Sequence, residues 1–186
     1  MSVPQIITPR LVLKPLESAD ALQIQRLFPR WEIVRYLVNS VPWPFPDGAA
    51  QSYVDNVALA AVAQGTGWFW TLRRQENPDA LIGVICLMDV KDNNRGFWLV
   101  PEWQGQGYIN EACYAVNDFW FETLDKEVLR APKAAVNTRS KKVSDRQGMR
   151  LVRTEKAQYV AGELDSELWE ITRDEWRRHK RQAPIV

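Results

Sequence analysis

The 186-residue chain contains only one histidine and two cysteines. A disulfide framework or a structural zinc site would need more of these residues. Cys86 lies in an apolar, strand-like run and Cys113 in a helical one, which predicts two small core residues rather than a disulfide or a nucleophile. His179 lies in a basic run near the C-terminus and is predicted to be solvent-exposed. We therefore expect no bound metal.

Long hydrophobic runs are also missing. The sequence has no apolar stretch of the ~18 residues that mark a membrane-spanning helix. Residues 1–5 lack the basic start and apolar core of a secretion signal, which predicts a cytoplasmic protein. Neither a Gly/Ser-rich linker nor an internal repeat divides the chain. At this length we expect residues 1–186 to form a single domain without a membrane partner.

The chain has little net charge, because 24 Lys and Arg residues are balanced by 23 Asp and Glu residues. This balance excludes a protein that binds polyanions by bulk charge. The charges are nevertheless separated along the sequence, since basic residues crowd between 126 and 153 and acidic residues follow between 163 and 175. Such runs indicate either a solvated surface or an electropositive edge that receives the phosphates of a cofactor or of RNA.

Short β-rich runs alternate with helical patterns, which indicates an α/β or α+β fold. The apolar periodicity and the turn residues predict seven strands, at 6–16, 67–74, 81–90, 96–100, 129–136, 151–160 and 163–172. Four helices are predicted, at 20–28, 49–63, 111–124 and 140–147.

The most informative stretch is a glycine-containing turn at residues 104–109, between the apolar run 97–100 and a helical pattern. Gly105 and Gly107 allow positive φ and a close approach of the backbone to a ligand. The helix that follows offers unpaired N–H groups and the positive end of its dipole. The stretch therefore predicts a pyrophosphate site, although glycine also occurs in plain strand-to-helix turns.

Several ordered motifs resemble the GNAT superfamily of N-acyltransferases. Residues 101–108 with Glu111 and Ala112 resemble its acyl-CoA-binding motif, Q/R-x-x-G-x-G/A. Further blocks at residues 8–16, 81–85, 96–99, 137–143 and 148–149 resemble the RimJ/RimL-type branch, which acetylates the N-termini of ribosomal proteins. The resemblance implies the GNAT fold, a mixed, mostly antiparallel seven-stranded sheet flanked by about four helices.

This resemblance also implies an activity. It predicts an acetyl-CoA-dependent N-acetyltransferase that acts on a primary amine, with a protein N-terminal α-amino group, as in ribosomal proteins, as the leading acceptor. A small amine such as an amino acid, polyamine or antibiotic is the alternative. A third interpretation is a CoA-binding regulatory module without turnover. The family also allows a homodimer.

Cofactor contacts follow from the same resemblance. In the family, main-chain groups of the strand before the glycine turn pair with the pantetheine arm of CoA, and Leu99 and Val100 hold these positions. The residues expected to bind acetyl-CoA are Leu99, Val100, Gln104, Gly105, Gln106, Gly107, Tyr108, Ile109, Asn137 and Lys142. Ile109 replaces a Gly or Ala of the motif and is expected to narrow the space beside the pyrophosphate. Lys142, like Lys141, is otherwise an exposed helix lysine.

Asn137 and Ser140 are the candidate catalytic residues. The family residue that matches Asn137 contacts pantetheine, and the one that matches Ser140 lies near the thiol, where a hydroxyl can protonate the leaving thiolate. Without the resemblance, Ser140 is simply a suitable N-cap for the predicted helix. The two roles are compatible.

Trp43 and Phe45 are the candidate acceptor residues. They lie in a proline-rich segment that walls the acceptor side in the family, where aromatic rings can hold an ammonium group. A purely structural role is the alternative. The general base is left open, because Asn94 stands where many members of the branch carry Glu, leaving Asp89, Asp92, Glu102 or a water chain.

Overall fold

The computed structural model describes residues 2–182 and contains two antiparallel sheets. Five strands lie side by side in chain order in the first sheet. They are β1 (Ile6–Ile7), β2 (Leu11–Pro15), β3 (Gly67–Arg74), β4 (Asn77–Met88) and β5 (Arg95–Leu99). The second sheet has the order β6-β8-β7, formed by β6 (Val128–Ala134), β7 (Arg150–Tyr159) and β8 (Gly162–Thr172).

Helices fill the connections between the strands. They are α1 (Ala21–Leu27), α2 (Trp31–Val34), α3 (Ala49–Tyr53), α4 (Leu59–Gln64), α5 (Tyr108–Asp118), α6 (Thr138–Arg146) and α7 (Arg173–Gln182). A π-helical stretch joins α3 to α4, and another extends α5 to Thr123. No helix within residues 2–182 has both the length and the apolar character needed to cross a bilayer.

The predicted α/β architecture is confirmed, but the strand count is wrong. The predicted strand 6–16 is a hairpin of two strands, because the chain turns at Pro9 and the Thr8 N–H donates to Leu11 O at 3.0 Å. The expected single sheet is two sheets, and eight strands replace seven in the described residues. Helices α2 and α7 were not predicted, and the long helix 49–63 is interrupted by its π-helical stretch.

The five-stranded sheet is covered by helices on both faces. Trp68 and Trp70 of β3 pack in one core with α5, while Phe69 between them packs in the other core with α1, α2 and α3. This alternation confirms the predicted period of two along β3. Both cysteines are buried, as predicted, and burial raises the pKa of the Cys86 thiol to about 12.

The two sheets meet at Asn94, at the start of β5. The Asn94 N–H donates to Arg130 O of β6 at 2.7 Å, and the Arg130 N–H donates to Asn94 Oδ1 at 2.9 Å. The Asn94 amide donates in turn to Met88 O at 3.1 Å and Val90 O at 2.9 Å. Beyond this junction β5 and β6 belong to different sheets, and a cavity separates the C-terminal end of β5 from the residues after β6, so the two strands diverge.

Helix α7 corrects the prediction for His179. Instead of lying free in a basic tail, His179 packs on Trp176 with ring centroids 5.8 Å apart. Its Nε2 lies 2.6 Å from the Tyr114 hydroxyl of α5. The amphipathic spacing that places Trp176 in the core was hidden in the sequence by the surrounding charges.

Two buried cations lie between the sheets and α5 and α6. Arg95 donates to Asn117 Oδ1 at 2.7 Å and to Gln147 Oε1 at 2.6 Å, so its charge is met by amide oxygens. Lys133 of β6 hydrogen-bonds the Ser144 hydroxyl of α6 and lies 5.7 Å from the centre of the Trp169 ring. Burial, with the Arg95 charge, lowers the pKa of Lys133 from its ordinary 10.5 to about 7.

The lowered pKa of Lys133 makes stability depend on pH. Between pH 7 and 10.5 the unfolded chain binds a proton at this amine that the folded chain has lost. The free energy of unfolding therefore rises with pH across this window. Below pH 7 the amine is protonated in both states, and the cost of burying an ammonium group lowers stability in full.

We expect Lys133→Met to raise the free energy of unfolding by about 2 kcal/mol at pH 7, because the side chain keeps its length and loses its charge. The gain over the wild type should shrink as the pH rises from 7 to 10.5. Urea denaturation of both proteins at several pH values measures this difference. A gain that stays constant over that range would contradict the proton linkage.

Candidate active site

A cavity of about 710 Å³ opens where β5 and β6 diverge. Residues from both faces of the five-stranded sheet line this cavity. One wall contains the glycine turn and the first turn of α5, followed by residues 136–146 around α6. The opposite wall contains residues 32–37, from α2 and the turn after it. The volume lies in the range of clefts that hold small-molecule ligands.

Main-chain groups of β5 face this cavity. The Val100 N–H donates to Ile82 O and the Met88 N–H donates to Asn94 O, each at 2.9 Å, so even-numbered residues of this segment pair with β4. Because bonding directions alternate along an antiparallel strand, Phe97 and Leu99 direct their main-chain groups toward the cavity. Both residues line it.

Val100 is the second residue of this segment predicted to pair with pantetheine. Its N–H is bonded to Ile82, its carbonyl accepts the Trp103 N–H at 3.0 Å, and it lines a separate, smaller cavity. The pairing of Val100 with pantetheine stays a prediction, but both of its main-chain groups already have hydrogen-bond partners. The predicted strand does line the cavity. The sequence could not show which of its residues face the cavity, because a hydrophobic run does not reveal which residues pair with the neighbouring strand.

The glycine turn has the conformation that its sequence predicts. Gly105 and Gly107 have φ of +77° and +85°, where a side chain would be strained. Gly107 is the N-cap of α5 and has no side chain to cap the helix. The N–H groups of the first helical turn therefore remain available to an anion.

Gln104 fixes the start of this turn. Its Nε2 donates to Leu99 O at 2.8 Å, and its Oε1 accepts a hydrogen bond from Arg139 of α6. Gln104 thus connects β5 with α6 across the mouth of the cavity. Tyr108 and Ile109 also line the cavity, whereas Gln106 points outward and donates to Glu102 O at 3.2 Å.

An N-terminal clamp, formed by Thr8, Arg10 and Glu111, holds the other end of the turn. Glu111 Oε1 accepts hydrogen bonds from the Thr8 hydroxyl at 2.6 Å and from the Arg10 N–H at 2.7 Å. Arg10 Nε donates to Glu111 Oε2 at 2.7 Å. Burial alone would raise the pKa of Glu111, but these bonds hold it below its ordinary value.

Arg10 extends the clamp to the turn itself. Its Nη1 donates to Gln106 O at 2.8 Å, and its guanidinium lies 4.3 Å from the centre of the Tyr108 ring. The turn between β1 and β2 thereby determines the position of the glycine turn. The sequence identified both segments separately, but only the fold shows that they touch.

Asn137 and Ser140 both lie in the cavity wall. Asn137 is the N-cap of α6, and its side-chain oxygen accepts the Ser140 N–H at 3.3 Å. The capping role considered for Ser140 is therefore filled by Asn137. The Ser140 hydroxyl is left for other contacts.

Three cations of α6 line the cavity, namely Arg139, Lys142 and Arg146. Within residues 2–182 none of them forms an ion pair. Most of the other basic residues in the run 126–153 do form ion pairs with carboxylates. Examples are Lys126–Asp89, Arg130–Glu170, Lys141–Glu167, Arg150–Glu175 and Arg153–Asp92. The electropositive edge predicted from the sequence is thus limited to one face of α6.

The carboxylates considered as general base lie outside the cavity. Asp89 pairs with Lys126, and Glu102 pairs with Arg30. Hydrogen bonds from Arg153 and Arg130 lower the pKa of Asp92, and a hydrogen bond from Arg30 lowers that of Glu102, which makes both weaker bases. Asn94 is buried at the junction of the sheets, where a Glu would lose the two amide donor bonds.

The two predicted acceptor residues pack against other aromatic side chains. Phe45 packs against Phe28 at 5.1 Å between ring centroids, and Trp43 lies on Trp31 at 5.8 Å. Neither lines the cavity. Residues from 32 to 37 line the wall opposite the glycine turn, and Glu32 is the only carboxylate among the described lining residues. Helix α2 is a single, mostly apolar turn, and its sequence gives no signal that would have identified this wall.

Comparisons with known proteins agree with this architecture. A family model of the GNAT acetyltransferase domain matches residues 10–150, well over half of the chain. The fold is similar to that of RimL, a ribosomal alpha-N-protein acetyltransferase in complex with coenzyme A. The TM-score is 0.78 at 15% identity, over 91% of this chain and 98% of that chain.

Two further solved structures are similar. Ribosomal-protein-S5-alanine acetyltransferase from Vibrio fischeri gives a TM-score of 0.77 at 17% identity, over 93% of this chain and 98% of that one. Mycobacterium smegmatis RimJ in complex with a CoA disulfide gives 0.77 at 18% identity, over 93% and 88%. At these identities the structural similarity concerns the fold.

We expect Arg10→Gln to weaken CoA binding about tenfold, because the glycine turn must then be ordered by the ligand instead of the N-terminal clamp. Isothermal titration calorimetry measures the Kd. Lys14→Gln is the matched control, since it removes the exposed ion pair between Lys14 of β2 and Glu17. Equal Kd values for the wild type and both variants would exclude a positioning role for Arg10.

Proposed function

The chain belongs to the GNAT family of acetyltransferases, and we propose that it transfers the acetyl group of acetyl-CoA to a primary amine, with a protein N-terminus as the leading acceptor. The observation that carries this proposal is the glycine turn at the N-terminus of α5, which opens into the cavity between the diverging sheets. Its free N–H groups suit the pyrophosphate of CoA. The α6 cations suit the remaining phosphate.

We expect the thioester to lie beside β5, in the gap between the diverging strands. The main-chain groups of Phe97 and the N–H of Leu99 face the cavity and can pair with the amides of pantetheine, while the Leu99 carbonyl already accepts from Gln104. An N–H from this strand would also polarise the thioester carbonyl. Holding the thioester next to the amine replaces a collision between two free molecules by a reaction within one complex.

The chemical step needs little else from the protein. The neutral amine attacks the carbonyl carbon, the C–S bond breaks, and the electron pair leaves on sulfur. The Ser140 hydroxyl would donate a proton to this thiolate and regain one from cavity water. The amine gives up its own proton to water in the open cavity, which is feasible because an α-amino group has a pKa of about 8.

The acceptor preference is supported by the neighbours with similar folds, which include ribosomal-protein acetyltransferases. A small amine is the alternative. Incubation with acetyl-CoA and a panel of peptides and small amines, followed by mass spectrometry and thiol titration, tests the transfer. We expect CoA release that depends on the amine, with acetyl on the amine nitrogen. CoA binding without any acetylated amine would instead indicate a CoA-binding module.

We expect Ser140→Ala to lower kcat at least about tenfold, equivalent to about 1.4 kcal/mol of transition-state stabilisation. Its thermal stability should stay close to that of the wild type, because Asn137 caps α6. Asn137→Ala is the control for the cap and should lower the free energy of unfolding by about 1 kcal/mol. If Ser140→Ala turns over normally, the hydroxyl does not protonate the leaving group.

A further inference from the structure

We infer that the acceptor carries a carboxylate close to its primary amine, and that Arg35 and Glu32 recognise these two groups. This inference rests on the proposed acetyl transfer and specifies which amines are chosen. It names Arg35 as the specificity-determining residue and Glu32 as the group that receives the ammonium.

The cavity has two ends with different chemistry. The glycine turn and the α6 cations lie on the face of the five-stranded sheet that α5 covers, while residues 32–37 belong to the face that α1, α2 and α3 cover. A ligand held by its phosphates at the first end therefore directs its reactive end through the gap between the sheets. The second end is left for the acceptor.

The segment after α2 is fixed in place across this second end. The Ala161 N–H donates to Arg35 O at 3.0 Å, and the Val160 N–H donates to Leu37 O at 2.9 Å. Val38 forms a β-bridge with Tyr159 of β7. The segment thus joins the hairpin of the second sheet, so Arg35 is presented by a well-supported backbone.

Arg35 has no ion-pair partner among residues 2–182. Its guanidinium lies 4.7 Å from the centre of the Tyr36 ring, and its Nε is enclosed without a hydrogen-bond partner in residues 2–182. Other arginines outside the cavity, such as Arg30, Arg73 and Arg173, are paired with carboxylates. A half-buried guanidinium on a cavity wall gains most from an anionic ligand, and a carboxylate matches its planar geometry.

Glu32 supplies the opposite charge on the same wall. It is three residues before Arg35, and the Arg35 N–H still donates to Trp31 O at 3.1 Å, so the two residues lie on one side of a helical turn. Side chains at this spacing start from Cβ atoms about 5–6 Å apart. The two groups do not form an ion pair with each other or with any other residue from 2 to 182. An ammonium and a carboxylate on one acceptor complement this arrangement.

Two sources offer that chemistry. A protein that begins with Asp or Glu places a side-chain carboxylate near its α-amino group, and a free amino acid places its α-carboxylate there. Four probes separate them: tetrapeptide amides that begin with Glu or with Gln and are otherwise identical, and free alanine against alaninamide. The two members of each pair have nearly the same shape and differ by one negative charge.

Binding to the CoA-loaded protein is measured by calorimetry, and acetylation is measured as kcat/KM. We expect the charged member of one pair to bind about tenfold more tightly, as for a hydrogen bond to a charged group, and to be the better substrate. Arg35→Gln should abolish this preference without changing the Kd of CoA. Arg178→Gln, which changes an exposed arginine on α7, should keep the preference.

Three results would overturn the inference. The first is equal affinity for both members of both pairs. The second is an equal loss of affinity for charged and neutral probes in Arg35→Gln. The third is weaker binding of CoA by that variant, which would place a phosphate at Arg35. The binding measurement decides the inference even if no amine is acetylated. Failure of the proposed transfer is thereby distinguished from failure of the acceptor assignment.

Discussion

The junction between the sheets at Asn94 is the constraint on which the rest of the structure depends. Its main chain and its amide oxygen bind Arg130, while its amide nitrogen binds two carbonyls of the preceding turn. One buried side chain thus holds β5 and β6 together at one end. Because the strands are fixed there and diverge beyond it, β5 keeps free main-chain groups next to the glycine turn.

Features with a local cause could be predicted from the sequence. The alternation of Trp68, Phe69 and Trp70 follows from the period of a strand with two covered faces. Gly105 and Gly107 identify the turn because few other residues tolerate its backbone angles. The wall that contains Asn137 and Ser140 could also be located, because the family motif there marks a helix that begins directly after a strand. Such a helix start is a local feature of the sequence.

Features that depend on distant contacts could not be predicted. The family resemblance compares Asn94 with a Glu that many members carry, but its structural role comes from Arg130, which is far along the chain. His179 looked solvated because its sequence neighbours are charged, whereas Tyr114 and Trp176 determine its environment. The family resemblance suggested an acceptor wall in the proline-rich segment, yet its aromatic rings pack on Phe28 and Trp31.

The N-terminal clamp has a consequence for the order of folding. The residues that it joins are 101 to 103 positions apart in the chain. Contacts across such a separation carry a large loop-closure entropy and form after local structure. Helix α5 can form as soon as its own residues are available, but the turn before it reaches its final shape only when the β1–β2 turn docks. We therefore expect the anion site to form later in folding than the helix that carries it.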